Sequence, residues 1–148
     1  MDKVKVIEGE IFRDHRGQIS SINSFHFDGV KRAYIIHHPD TSVIRGWHAH
    51  QLERKWFYCI KGEFSVALIK VDDWDSPSAD LIPEIHHLSD KDSKLICVPV
   101  GYANCLKAWT PDSILLVLSD KILEDALEDS WRYDASMWVD WKENKPNR

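Results

Sequence analysis

"VIRGWHAHQLERKWFYCIKG", residues 43–62, is the stretch on which the reading of this chain turns. It is rich in β-branched and aromatic residues, as strands are, yet it sets Arg45, Gly46, His48 and His50 close together. On a strand, residues two apart face the same way, so His48 and His50 project side by side and Ala49 turns away. Arg45 has the opposite parity. It can join the histidines only if the strand is kinked between them, and Gly46 is where a bulge would be tolerated. Paired imidazoles suit acid–base work, because imidazole takes and returns a proton near neutral pH. With Arg45 and Lys55 as fixed positive charge for a developing enolate, the set fits proton abstraction beside a carbonyl, followed by reprotonation on the same or an adjacent carbon. A metal cage is the competing use of such a pair. Glu53 stands three residues after His50, but the later segment expected to supply a third imidazole, "VPVGYANCLKAW" (98–109), carries Asn104 instead. A neutral amide is a poor ligand for a transition metal. No metal and no cofactor are therefore expected.

Outward from this stretch, short apolar segments bounded by Gly, Pro, Asp, Ser or Asn dominate. Strands are predicted at 3–12, 18–23, 31–37, 42–50, 54–60, 63–71, 82–88, 94–99, 103–109 and 113–119. Only "KILEDALED" (121–129) reads as a helix. Trp56 and Tyr58 share one strand face and Lys55 and Phe57 the other, so one of these faces lines the interior. This spacing suggests an all-β antiparallel sandwich or barrel. The sequence of 148 residues has no linker, repeat or low-complexity segment, and is read as one domain, 1–148, with a polar tail fraying from about 142. Adjacent histidines face opposite sides of a strand, so His37–His38 and His86–His87 are expected at the surface. Seven Trp are many for this length, and several are expected in a pocket or a subunit contact.

The formal net charge of -5 argues against nucleic acid or an anionic membrane as partner. The longest apolar run, "ILLVL" at 114–118, is far short of a membrane span. Cys59, Cys97 and Cys105 form no C-x-x-C, and the N-terminus lacks a signal-peptide core, which together suggest a reduced, cytoplasmic protein.

Three segments carry a resemblance. "DHRGQIS" (14–20), "FDGVKRAYII" (27–36) and "VIRGWHAH" (43–50) resemble the nucleotide-sugar 3,4-ketoisomerases, cupins that act on dTDP-4-keto-6-deoxyglucose. The segments 98–109 and "EDSWRYDASMWVDW" (128–141) are similar to the related dTDP-4-dehydrorhamnose 3,5-epimerases, but the epimerases' C-terminal carboxylate and catalytic tyrosine have no counterpart here. Epimerisation is thus the alternative, and a non-catalytic or metal-binding cupin the third. The resemblance implies an antiparallel cupin jelly roll and a homodimer whose N-terminal strand crosses to its partner. It implies a nucleotide-sugar substrate, dTDP-linked, with metal-free catalysis and a place in deoxysugar or polysaccharide biosynthesis. By position it makes His48 and His50 the acid–base residues, with Arg45 a pocket cation. The epimerases keep a histidine only at position 48, which points to His48 as the base. Arg16 and Arg32 become candidates for the diphosphate, and Tyr34 for the sugar or base. Lys55, Tyr102 and Asn104 complete the expected binding set.

Overall fold

The computed structural model of the chain describes residues 2–147. Two five-stranded antiparallel sheets face each other. The first orders β1 (Lys5–Glu8), β9 (Lys94–Val98), β6 (Lys55–Lys61), β11 (Ser113–Ser119) and β4 (Arg32–His38). The second orders β12 (Trp131–Arg132), β5 (Ile44–Ala49), β10 (Tyr102–Ala108), β7 (Glu63–Lys70) and β8 (Glu84–Ser89). β2 (Glu10–Asp14) and β3 (Gly17–Ser21) form a hairpin of their own. One helix, α1 (Leu123–Glu128), connects β11 to β12. This is the expected antiparallel jelly roll.

The strands are less cleanly alternating than a one-sided sheet requires, and the packing explains why. Phe57, Val66, Leu68, Ile96, Leu106, Leu115 and Val117 fill the space between the sheets. The outer face of the second sheet is also covered. There Trp47, Ala49, Ala67, Ile69 and Cys105 pack under Trp131, Tyr133, Trp138 and Trp141 of the C-terminal segment. Across the first sheet, Trp56, Leu95, Cys97 and Leu118 lie beneath Ile22, Phe25 and Val30. β7 is therefore buried along almost its whole length. Each large apolar side chain so buried contributes about 1.5–3 kcal/mol. The Trp-rich tail segment is thus held mainly as core: Trp47 Nε1 donates to the Met137 carbonyl (2.7 Å) and Trp138 Nε1 to the Ser78 carbonyl (2.7 Å).

The differences from the sequence reading are local. The strand predicted over 3–12 breaks at Gly9, whose amide donates to the Ser93 carbonyl at 2.6 Å. A Cβ there would sit 2.1 Å from the Ser21 carbonyl oxygen, so only glycine allows this approach. The tail expected to fray from 142 starts inside a 3-10 turn, Trp141–Glu143, whose first amide bond is capped by the Asp140 side chain (2.9 Å). His38, expected at the surface, is 1% exposed and packs against the Phe64 ring, because it shares a face of β4 with Tyr34 and Ile36, which pack on the core between the sheets. His37 is exposed beside Asp112, and His86 and His87 lie on the open flank of β8. Among the described residues no helix is long and apolar enough to cross a membrane.

Candidate active site

The decisive local feature is a bulge in β5. β10 pairs Asn104 with His48 and the next residue, Cys105, with Gly46, so Trp47 is left over on the β5 side. Gly46 has φ +148°, and a Cβ on it would lie 2.7 Å from both the Asn104 carbonyl oxygen and the Cys105 Cα. A side chain cannot occupy that space without moving the neighbouring backbone. The extra residue shifts the parity, and Arg45, His48 and His50 all line one cavity.

This cavity, about 480 Å³, lies between β4, β5, β6 and β10, with α1 and β12 at its edge. Seven of the nine residues singled out from the sequence line it: Arg32, Tyr34, Arg45, His48, His50, Lys55 and Asn104. Two do not. Arg16 sits on the β2–β3 hairpin, 73% exposed and paired with Asp14 at 2.6 Å, away from the cavity of its own chain. Tyr102 lies further along β10 and packs against the core between the sheets; it is only its carbonyl that meets the histidine strand, accepting from the His50 amide at 3.4 Å. Ile35, Leu123 and Leu127 add an exposed apolar rim.

The imidazoles of His48 and His50 stand 4.4 Å apart, centroid to centroid. Their partners differ. His50 Nδ1 lies 2.6 Å from the Asp129 carbonyl oxygen. A carbonyl only accepts, so Nδ1 carries the hydrogen and Nε2 holds the lone pair. That Nε2 is buried and has no hydrogen-bond partner. His48 Nε2 instead meets the Ser130 hydroxyl at 2.9 Å, a group that can donate or accept.

Both rings are neutral at pH 7. Burial drives the His48 pKa down to about 3, helped by His50, Lys55 and Arg132. Burial likewise takes His50 down to about 4, with Lys55 the next cause and the Asp129 carbonyl opposing. Lys55 is lowered to about 8 by burial, against the pull of Glu53. Tyr34 is raised to about 12 by burial and then by Glu53, so its hydroxyl stays protonated. The Arg32 guanidinium lies over the Tyr34 ring at 4.8 Å and the Lys55 ammonium at 5.9 Å.

Several residues that shape the site carried no clear signal in the sequence. Glu53, weighed only as a metal ligand, has a fully buried side chain, and its Oε2 accepts from Arg32 Nη2 at 3.1 Å and from the Ser119 hydroxyl. The Asp129 carboxylate accepts from the amides of Gln51 (2.8 Å), Leu52 (2.8 Å) and Glu53 (3.2 Å), fixing the turn after His50. His38 Nε2 accepts from Arg45 Nε at 3.3 Å. Arg132, opposite His48 in the β12–β5 register, brings a further cation to the cavity. Among the described residues, no group of three or more His, Cys, Asp or Glu side chains is arranged to hold a metal ion.

The fold and this cavity define a cupin-type jelly roll with paired neutral imidazoles ringed by cations. The family model described as "FdtA: WxcM-like, C-terminal" matches residues 2–138, and the chain belongs to that family. Among solved structures it is similar to QdtA, a sugar 3,4-ketoisomerase from Thermoanaerobacterium thermosaccharolyticum in complex with TDP (24% identity, 88% of each chain, TM-score 0.69). It is also similar to a 3,4-ketoisomerase from Helicobacter canadensis (16% identity, 97% of this chain and 95% of that one, TM-score 0.69). The rmlC epimerase of Mycobacterium tuberculosis is a further match (20% identity, 93% of this chain and 74% of that one, TM-score 0.74). No curated protein sequence gives a significant match.

Proposed function

We propose that this chain is a metal-independent isomerase that interconverts the 4-keto and 3-keto forms of a nucleotide-linked 6-deoxy sugar. The observation that carries the reading is the histidine pair: two neutral imidazoles share one face of a cavity lined by Arg45, Lys55, Arg32 and Arg132. Family membership and the 3,4-ketoisomerases among the similar structures support it.

The mechanism follows from tautomers and charge. His50 Nε2, with its lone pair unengaged, takes the proton from C3. The C3–H electron pair becomes the C3–C4 double bond, and the C4 oxygen gains negative charge beside the cations. The resulting His50 imidazolium is a stronger acid than neutral His48, so it returns the proton to C4. His48, backed by the Ser130 hydroxyl, moves the remaining proton from the C3 oxygen to the C4 oxygen. The base is thus His50, where the epimerase resemblance alone had pointed to His48.

The substrate's diphosphate is assigned to the guanidinium groups at the cavity, Arg32 and Arg132, since guanidinium meets phosphate oxygens bidentately. Tyr34 and Asn104 then face the sugar. We further propose a homodimer. The β2–β3 hairpin carries Phe12 and Ile19 as a cross-strand pair, 59% and 64% exposed, and this apolar face together with Arg16 is what a second copy would cover. We also propose a reducing cytoplasm, which three buried free cysteines fit, and, from the family match, a role in deoxysugar or polysaccharide synthesis there.

The test is incubation with dTDP-4-keto-6-deoxyglucose in heavy water, with deuterium located by NMR. A 3-keto product supports the reading, with the substrate's C3 hydrogen carried to C4 and solvent label there only as far as the His50 imidazolium exchanges; label at C5 with the ketone still at C4 would favour epimerisation. His50→Asn should stop exchange at C3, and His48→Asn should lower turnover, each by about 10²–10⁴-fold. Turnover within a few-fold of the unmodified enzyme in both variants would refute the acid–base assignment.

A further inference from the structure

Next to the cavity stands a carboxylate that does not line it. Glu53 has a fully buried side chain. Its Oε2 is taken up by Arg32 and Ser119. Its Oε1 lies 3.1 Å from His50 Nδ1 and has no hydrogen-bond partner of its own. A buried carboxylate oxygen left without a bond is costly. The same Nδ1–H already donates to the Asp129 carbonyl at 2.6 Å. Two acceptors therefore converge on one donor, on the side of the ring away from Nε2.

We propose that Glu53 is a positioning residue for His50: with the Asp129 carbonyl it keeps the ring hydrogen on Nδ1, leaves Nε2 free for the substrate proton, and compensates the imidazolium formed when that proton arrives. The inference rests on the acid–base reading of His50. No atom is transferred to Glu53; the proton moves only between carbon and Nε2. In the resting pocket the neutral ring leaves Oε1 under-bonded. When Nε2 takes the proton the ring becomes positive 3.1 Å from Oε1, so Glu53 interacts more strongly with the intermediate than with the ground state. That differential lowers a barrier rather than merely tightening binding.

The charges that face His50 come from every side. His48 neighbours it on β5, Lys55 on β6 and Arg32 on β4, and all three oppose a positive ring when charged. Asp129, at the end of α1, favours one. Its carboxylate is committed to three main-chain amides, whereas Glu53 Oε1 is committed to none.

The experiment uses the full chain labelled with 15N-histidine, as wild type, Glu53→Gln, Glu53→Asp and Ser119→Ala. Ring nitrogen shifts are followed across about pH 3–8, around the range where histidine titrates. Steady-state kinetics are measured on the 4-keto sugar nucleotide. The wild type should show the Nδ1–H tautomer at His50. Glu53→Gln removes the compensating charge, so the His50 titration midpoint should fall and kcat should drop by about tenfold or more, with KM within about twofold. Glu53→Asp keeps the charge at greater distance and should lie between. Ser119→Ala removes a donor from the carboxylate, concentrates its charge on Oε1, and should move the midpoint up. General disruption of the fold would move both variants the same way. An Nε2–H tautomer, an unmoved midpoint in Glu53→Gln, or shifts of the same sign in Glu53→Gln and Ser119→Ala would overturn the proposal. If Glu53→Gln does not fold, the tautomer and the Ser119→Ala shift decide it. If the midpoints move as expected but no form turns over a keto sugar, the positioning role stands and the isomerase reading fails.

Discussion

The bulge at Gly46 is the point where the local sequence is converted into a site, and Gly46→Ala tests it. The ordinary closest range for a Cβ contact begins at 3.4 Å; here the new methyl would meet the Asn104 carbonyl oxygen and Cys105 Cα at 2.7 Å, a shortfall of 0.7 Å against the main chain of β10. Neither neighbour is the end of a flexible side chain, so a strand must move. The φ of +148° adds strain for any side chain. Strained backbone of this kind costs about 1–3 kcal/mol. For a chain of this size that is a fall in Tm of roughly 2–12 °C. The catalytic cost is separate. Displacing β5 from β10 by most of an ångström moves Arg45 against the histidines, and misplacement on the order of 1 Å can cost about 10²-fold in rate. Gly29→Ala is the control, because Gly29 also has positive φ, +83°, but meets only the end of the Arg54 side chain at 3.3 Å. Thermal unfolding by circular dichroism and kcat/KM on the 4-keto sugar nucleotide should separate them: both variants lose stability, and only Gly46→Ala loses most of its activity. A Gly46→Ala enzyme with wild-type kcat/KM would refute the claim that the bulge aligns the site.

Acid should destabilise the fold through the two cavity histidines. Unfolded histidine titrates near 6.5, while His48 and His50 in the fold titrate at about 3 and about 4. Above 6.5 both states are neutral and the pair has no effect. Below it the unfolded chain binds protons that the folded chain does not, so stability falls as pH drops from about 6.5 toward 4. Urea midpoints at pH 7.5 and 5 should show this, and a His48→Asn/His50→Asn double variant should flatten it; an equal slope in the double variant would count against the assignment. Arg32→Ala leaves the fully buried Glu53 carboxylate without its 3.1 Å ion partner and should cost about 3–5 kcal/mol by chemical denaturation, a loss that Arg32→Lys should partly restore. Trp47→Ala empties a fully buried site and frees the Met137 carbonyl, so a similar loss, about 3–5 kcal/mol, is expected; a change under 1 kcal/mol would show that the C-terminal segment is not held this way.

The architecture was legible because strand spacing and turn residues are local properties. The order of β4 to β11 follows the predicted strands closely, and even the kink at Gly46 could be anticipated from parity alone. The site was legible only where its residues lie in one motif. Arg45, His48 and His50 are neighbours in sequence, and Lys55 follows them on the next strand. Asp129, Ser130 and Arg132 reach the cavity from the far end of the chain, 79 residues from His50 in the case of Asp129. Nothing local in "EDSWR" distinguishes a residue whose carbonyl sets a tautomer from a solvated turn. His38 was misplaced for a related reason: adjacency to His37 says that the two face opposite ways, but not which of them faces in. Arg16 is the converse case, a motif residue whose own chain gives it only Asp14.

The charges around the cavity resolve what would otherwise be a conflict. A base must be neutral before it acts, yet an enolate needs positive charge beside it. Burial and the cations Lys55 and Arg132 hold His48 neutral, and burial with Lys55 and Arg32 holds His50 neutral. The same groups line the cavity that would receive the enolate. One set of fixed charges thus favours the unprotonated base before the reaction and the anionic intermediate during it. The drawback of that arrangement is the imidazolium on His50, which the cations oppose. Only negative charge on the far side of the ring relieves it without touching the substrate, and the Glu53 carboxylate lies there, beside the Asp129 carbonyl that accepts from Nδ1. On the proposed mechanism the charges would be separated across one imidazole: the Glu53 carboxylate and the Asp129 carbonyl behind Nδ1, cations on the cavity side, and the moving proton between them.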